Sequence, residues 1–177
     1  HVHKKGIIAH DSEVIGDSVL VYVSSQYHNG GRGIYANRST IQDNYVRIED
    51  HYDYNGLGIA IESYGDGAPR HTISNNTIEA TRESAGIWAS YADIENNHLS
   101  NWSDNNNDEW AIGHGDYNVI RNNTIIGFRD GIQVDGRWSN EITDNHIETR
   151  FWGVYANNSQ GDHIIENNTF NKYTTEG

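Results

Sequence analysis

The sequence predicts an all-β chain wound as a right-handed parallel β-helix, a single-stranded solenoid of about seven coils. Three observations predict it. A six-residue phrase, clearest in Ile120-Arg121-Asn122-Asn123-Thr124-Ile125, recurs along the chain. A second phrase, Gly followed by Ile or Val, alternates with it. Apolar residues follow a period of two, and few segments keep the i, i+3, i+4, i+7 stripe of a helix. Self-similarity every 20 to 50 residues marks a solenoid.

Copies of the first phrase begin at Ile15, Ile41, Ile73, Ile94, Ile120, Ile142 and Ile165, spaced 21 to 32 residues apart. The Ile15 copy is worn, with Ser18 in the place of the second Asn. The second phrase reads Gly6-Ile7, Gly33-Ile34, Gly58-Ile59, Gly86-Ile87, Gly131-Ile132 and Gly153-Val154, with Ala111-Ile112 in the remaining slot. Each coil is therefore a short strand, a turn, a second short strand around the Asn pair and a variable return. The outer apolar residues of Ile-x-Asn-Asn-x-Ile point inward. The Asn pair makes the bend, because Asn tolerates left-handed backbone and bonds its own neighbours.

Stacking puts like on like. Ile41, Ile73, Ile94, Ile120, Ile142 and Ile165 form a buried column, and Asn44, Asn76, Asn97, Asn123, Asn145 and Asn168 an amide ladder. Internal amides so arranged bond the turn backbone and each other. Parallel crossovers are overwhelmingly right-handed, which sets the expected hand.

The 177 residues read as one domain, 1–177. The chain opens with His1 and has no Met, so a processed chain or a piece of something longer is expected. A formal net charge of −13 disfavours a nucleic-acid partner, and no apolar run is long enough to insert in a membrane. With no Cys, disulfides and thiolate metal sites are excluded. Terminal coils of solenoids need covering. No capping helix precedes Gly6 and none fits after Asn171, so further chain, folded-over loops or a homo-oligomer or larger assembly is expected to cover the ends.

The two phrases resemble the parallel β-helix repeat of the pectate-lyase-like superfamily. That group includes polysaccharide lyases, polygalacturonases, alginate epimerases, phage tailspikes and NosD-type periplasmic copper-handling proteins. The resemblance covers nearly the whole chain and implies the fold. For function it implies a secreted or cell-surface protein that engages a polysaccharide.

Candidate sites follow from the columns. If the Ile of Gly-Ile points in, the next residue points out, giving Ile8, Tyr35, Ala60, Trp88, Gly113, Gln133 and Tyr155. The next outward row reads His10, Asn37, Glu62, Ser90, Gly115, Asp135 and Asn157. Aromatic rings offer flat apolar faces to the C–H faces of sugars, and acids and amides can bond the hydroxyls. Tyr35, Trp88, Gln133, Tyr155, Arg137 and Trp110 are thus candidate glycan-binding residues. The inward column between these rows reads Ala9, Ala36, Ile61, Ala89, Val134 and Ala156, which His114 breaks. Asp116 and Asp135, expected on adjacent coils, are candidates for acid–base cleavage of a glycan, with His114 and Glu62 as further catalytic candidates.

Two metal readings arise. Asp104, Asp108 and Glu109 crowd oxygen ligands into one loop, which suits Ca²⁺. His1 and His3 at a free amino terminus would suit Cu²⁺, with His10, His28 and His51 as further ligands. The leading expectation is a polysaccharide-engaging solenoid, cleaving its glycan as a hydrolase or lyase if it is an enzyme. A non-catalytic structural or tailspike-like recognition solenoid is the first alternative, and NosD-like copper handling the second.

Overall fold

The computed structural model describes residues 5–23, 31–50, 59–64, 70–82, 84–102, 110–113, 115–134, 138–157 and 161–174. The described chain is all-β, and its strands form three parallel sheets of seven strands each. The first sheet stacks Lys5–His10, Arg32–Asn37, Ile59–Tyr64, Ala85–Ser90, Trp110–Gly113, Asp130–Val134 and Val154–Ala156. The second stacks Glu13–Ile15, Thr40–Gln42, His71–Ser74, Ala92–Glu95, Val119–Arg121, Glu141–Thr143 and Ile164–Glu166. The third stacks Ser18–Val23, Tyr45–Asp50, Thr77–Ala80, His98–Asn101, Thr124–Ile126, His146–Thr149 and Thr169–Lys172. Neighbouring strands in each sheet run parallel, so each coil contributes one strand to each sheet.

The repeated phrase makes the corner between the second and third sheets. Its first polar residue holds left-handed backbone in coils two to seven: Asp43, Asn75, Asn96, Asn122, Asp144 and Asn167, at φ of 55 to 57°. Short polar side chains are the usual non-glycine occupants of that region. Its second residue is internal. The backbone N–H of Asp17 donates to Asn44 Oδ1, that of Asn44 to Asn76 Oδ1, and so on through Asn97, Asn123 and Asn145 to Asn168. From Asn44 on, each Nδ2 also donates to a carbonyl of the coil before it, as Asn97 Nδ2 does to Ile73 O at 2.8 Å. The predicted ladder is present, and its amides are satisfied by geometry that repeats.

Inside, Ile41, Ile73, Ile94, Ile120 and Ile142 face Val46, Ile78, Leu99, Ile125 and Ile147, all essentially fully buried. The column of like on like is buried as expected from Ile41 to Ile142, whereas Ile165 at its end is exposed, and two coils sit in a different register. In the first coil Val14 pairs with Ile41, and Ile15 with Gln42. The phrase therefore starts at Val14: Gly16 takes the left-handed position at φ 72°, and Asp17, not Ser18, takes the ladder position. In the third coil Ile61, not Ile59, pairs with Ile34 and Ile87. Ser63 therefore replaces Ile61 in the inward column, Glu62 replaces Ala60 in the first outward row, and Tyr64 replaces Glu62 in the second. A slip of two residues keeps every side chain on its face, so alternation alone does not resist it.

A second polar ladder runs along the corner between the first and second sheets. Ser12 N–H donates to Ser39 Oγ and Ser39 N–H to His71 Nδ1. After a break, Ala92 N–H donates to Asn118 Oδ1, Asn118 N–H to Asn140 Oδ1 and Asn140 N–H to His163 Nδ1. Ser, Asn and neutral His share one property here, a side-chain acceptor at the right reach. The break falls where His71 would meet Ala92, which has no acceptor; His71 N–H goes to Tyr91 O instead.

The two ends differ. In the first coil Val14 and Val19 are 3% and 6% exposed. In the last coil Ile165 and Phe170, register partners of Ile142 and Ile147, are 43% and 50% exposed. Beside them Thr149, Arg150, Phe151, Gly153, Phe170, Asn171 and Lys172 line a cleft of about 440 Å³.

Candidate functional site

The first outward row of the first sheet reads Ile8, Tyr35, Glu62, Trp88, Gly113, Gln133 and Tyr155 once the register is applied. The structure thus brings four of the predicted binding residues, Tyr35, Trp88, Gln133 and Tyr155, into one column. Glu62 joins them between Tyr35 and Trp88. It is only 5% exposed and is ion-paired with Arg32 of the coil before it. A buried carboxylate committed to an arginine is a structural partner first.

Trp110 opens the fifth strand of this sheet, three residues before Gly113. Its ring centroid lies 5.7 Å from that of Tyr155, with the planes at 32°. Trp152 lies 5.6 Å from Tyr155 at 50°. These are ordinary aromatic packing distances. Three rings from coils five to seven thus form one cluster. Trp152, half exposed, was not among the residues singled out by sequence.

Gly113 is the one member of the column without a side chain, and it is buried. A Cβ added there would lie 3.4 Å from Trp88 Nε1, 3.6 Å from Gln133 Oε1 and 3.6 Å from Trp110 Cβ, all ordinary contacts. Its φ is not in the left-handed region. The contrast with Gly33 and Gly86 is informative. There a Cβ would collide with the next coil's carbonyl oxygen and, at 2.6 Å, with a core side chain of the third sheet. Those glycines are required by packing. At Gly113 the Trp88 indole, the Gln133 amide and the Trp110 Cβ already stand at contact distance, and Trp88 Nε1 is buried.

Asp130 is the other residue that sequence reasoning missed. Its strand partner is Trp110. It is 2% exposed, its Oδ1 accepts the Trp152 N–H at 3.1 Å, and its Oδ2 lies 3.8 Å from Arg129 Nε. Asp130 holds the backbone of Trp152, and so the third ring of the cluster. Burial raises its pKa; the Trp152 N–H and Arg129 oppose this without cancelling it. A carboxyl harder to ionise folded than unfolded gives stability that is fully present below the unfolded pKa and is lost as pH rises through the folded one. Asp130→Asn, which keeps an acceptor for Trp152, is therefore expected to raise the melting temperature at neutral pH. The gain should vanish below about pH 4. Paired thermal melts across that range check it.

The remaining candidates fall elsewhere. Asp116 lies past the end of the fifth strand, at the turn to the second sheet; its Oδ1 accepts the Trp138 N–H at 3.3 Å. Next to it Tyr117 packs between Tyr91, at 4.9 Å, and Trp138, at 5.9 Å. His114, Asp135, Arg137, Asp104, Asp108 and Glu109 lie outside the described residues, as do His1, His3, His28 and His51. His10 packs edge-on to Tyr35 at 6.3 Å. Among the described residues no three His, Cys, Asp or Glu side chains gather as a metal would need. The described arrangement is a cluster of aromatic rings on the outer face of the first sheet.

Comparison with known families gives one match. The model of the family described as periplasmic copper-binding protein (NosD) matches residues 3–176. No curated protein and no solved structure matches the chain.

Proposed function

The chain belongs to the NosD family, and from that premise we propose that it is a glycan-binding β-solenoid acting outside the cytoplasm, with its site on the outer face of the first sheet. The cluster of Trp110, Trp152 and Tyr155 carries this reading, because three rings from coils five to seven meet on this face. Trp110, Tyr155 and Trp152 supply ring faces for sugar C–H groups, and Gln133 supplies an amide for hydroxyls. The periplasmic description of the family supports a location where polysaccharides are met.

The reading assigns binding and no bond cleavage. Of the described carboxyls in or beside this column, Glu62 is held by Arg32 and Asp130 is buried on the Trp152 backbone. A glycan array followed by calorimetry on the best ligand tests the proposal. Trp110→Ala is expected to weaken that ligand by about tenfold or more, the loss of one stacking partner worth roughly 1.4 kcal/mol. Retained affinity in a folded Trp110→Ala protein would move the site off this face.

Copper handling is the second reading, and the family description favours it. The described residues do not fit it. The sequence has no Cys or Met to hold Cu(I), and no cluster of metal-binding side chains forms among the described residues. His1 and His3 would be the residues to hold Cu²⁺ if they stand at a free amino terminus. Titration with Cu²⁺, followed by electron paramagnetic resonance, tests that.

A further inference from the structure

We infer that Asn75, Asn122 and Asn167 are acceptors for N-linked saccharides, carried as a column along one corner of the solenoid. Each opens a triplet that matches the Asn-x-Thr acceptor pattern: Asn75-Asn76-Thr77, Asn122-Asn123-Thr124 and Asn167-Asn168-Thr169. The two asparagines of a triplet do different work. The second is the internal amide of the ladder. The first holds the turn, at φ of 55 to 56°, and is exposed. Its side-chain amide makes no hydrogen bond among the described residues, so its Nδ2 faces solvent uncommitted. Other matches to the pattern are not presented in this way. Asn101 is 4% exposed and donates to Arg82 O, and the triplet of Asn37 ends in Ser39, which is 4% exposed inside the second ladder.

The scaffold does not ask for these threonines. Asn96-Asn97-His98 makes the same corner, with Asn96 at φ 57° and Asn97 bonded to Asn123 as Asn76 is to Asn97. The register column that holds the threonines reads Tyr45, Thr77, His98, Thr124, His146 and Thr169. The isoleucine and asparagine columns repeat one residue type; this one alternates. Before the rings the turn residue is Asp43, Asn96 or Asp144, and before the threonines it is always asparagine. A complete acceptor therefore falls on the third, fifth and seventh coils. Successive rungs, about 4.8 Å apart, would crowd one saccharide against the next, whereas alternate rungs give each roughly 10 Å.

The step joins Asn Nδ2 to the anomeric carbon of a lipid-diphosphate-linked saccharide. The bond from that carbon to the phosphate oxygen breaks, the diphosphate leaves on its lipid, and one Nδ2 proton passes to solvent. A membrane-bound transferase acting outside the cytoplasm supplies the catalysis, and the family is described as periplasmic. The corner between the second and third sheets lies across the solenoid from the first sheet. Saccharides there leave the outer face of the first sheet uncovered, and the inference stands apart from the glycan-binding reading.

The test is glycopeptide mass spectrometry of the intact protein recovered from outside the cytoplasm of its own cells. Expected is saccharide on Asn75, Asn122 and Asn167 and none on Asn96. Thr77→Val, made in the same cells, should strip Asn75 alone and melt within a degree or two of the parent, because Thr77 is exposed on a strand that valine suits. Bare asparagine at all three positions would overturn the inference. So would saccharide retained on Asn75 in Thr77→Val, or saccharide on Asn96 at the level of its neighbours.

Discussion

Asn123→Ala costs the solenoid on the order of 4 kcal/mol, a large share of the 5 to 15 typical of a domain. The side chain is 1% exposed and fully used. Its Nδ2 donates to Ile94 O, Arg121 O and Asn145 Oδ1, at 2.9, 3.1 and 3.0 Å. Its Oδ1 accepts from Asn97 N and Asn97 Nδ2 at 2.9 and 3.0 Å. Truncation orphans the Asn97 donors and the Ile94 carbonyl in a dry interior, each at about 1 to 3 kcal/mol. Asn123→Asp keeps the acceptor and sets a carboxylate oxygen against two carbonyls, so it should do little better. Asn168→Ala, in the partly open last coil, should cost much less because water can reach what it leaves. Urea denaturation of the three variants ranks them. A loss under about 1 kcal/mol for Asn123→Ala would mean that the ladder does not carry the fold.

Gly86→Ala is the second large effect, at about 3 kcal/mol or more. The added methyl would overlap Ala111 O of the next coil and lie 2.6 Å from Leu99 Cδ2 in the core. Neither can yield cheaply. Ala111 sits in a strand paired to this one, and Leu99 is fully buried among neighbours that fix it. Gly113→Ala, one coil on in the same sheet, meets nothing closer than 3.4 Å and should melt within a degree or two of the parent. The pair separates a glycine that packing demands from one that it does not. If Gly113→Ala also fell by several kcal/mol, the collision with the next coil's carbonyl would not be what sets the cost at Gly86.

Much of the architecture is legible in the repeat. Equal residues recur where equal geometry recurs, so the isoleucine column and the Asn corner can be read without coordinates. Two registers are not. Gly58-Ile59-Ala60-Ile61 offers two isoleucines of the same parity, and Val14-Ile15 offers two apolar starts; only the pairing with neighbours decides between them. The second ladder is hidden for the opposite reason: Ser39, His71, Asn118 and His163 share an acceptor position but no letter. At the site, the column of Tyr35, Trp88, Gln133 and Tyr155 was readable from alternation. Asp130 and Trp152 were not, because their roles arise from a contact between successive coils, 22 residues apart in sequence.

The unequal ends give the molecule a direction of wear. A stack in which each coil leans only on its neighbours frays from whichever end is least protected. With Ile165 and Phe170 half open and Val14 and Val19 covered, amide exchange should advance from the last rung towards the first. A partner that covered Ile165 and Phe170 would therefore slow exchange most in the rung that is otherwise the first to let go.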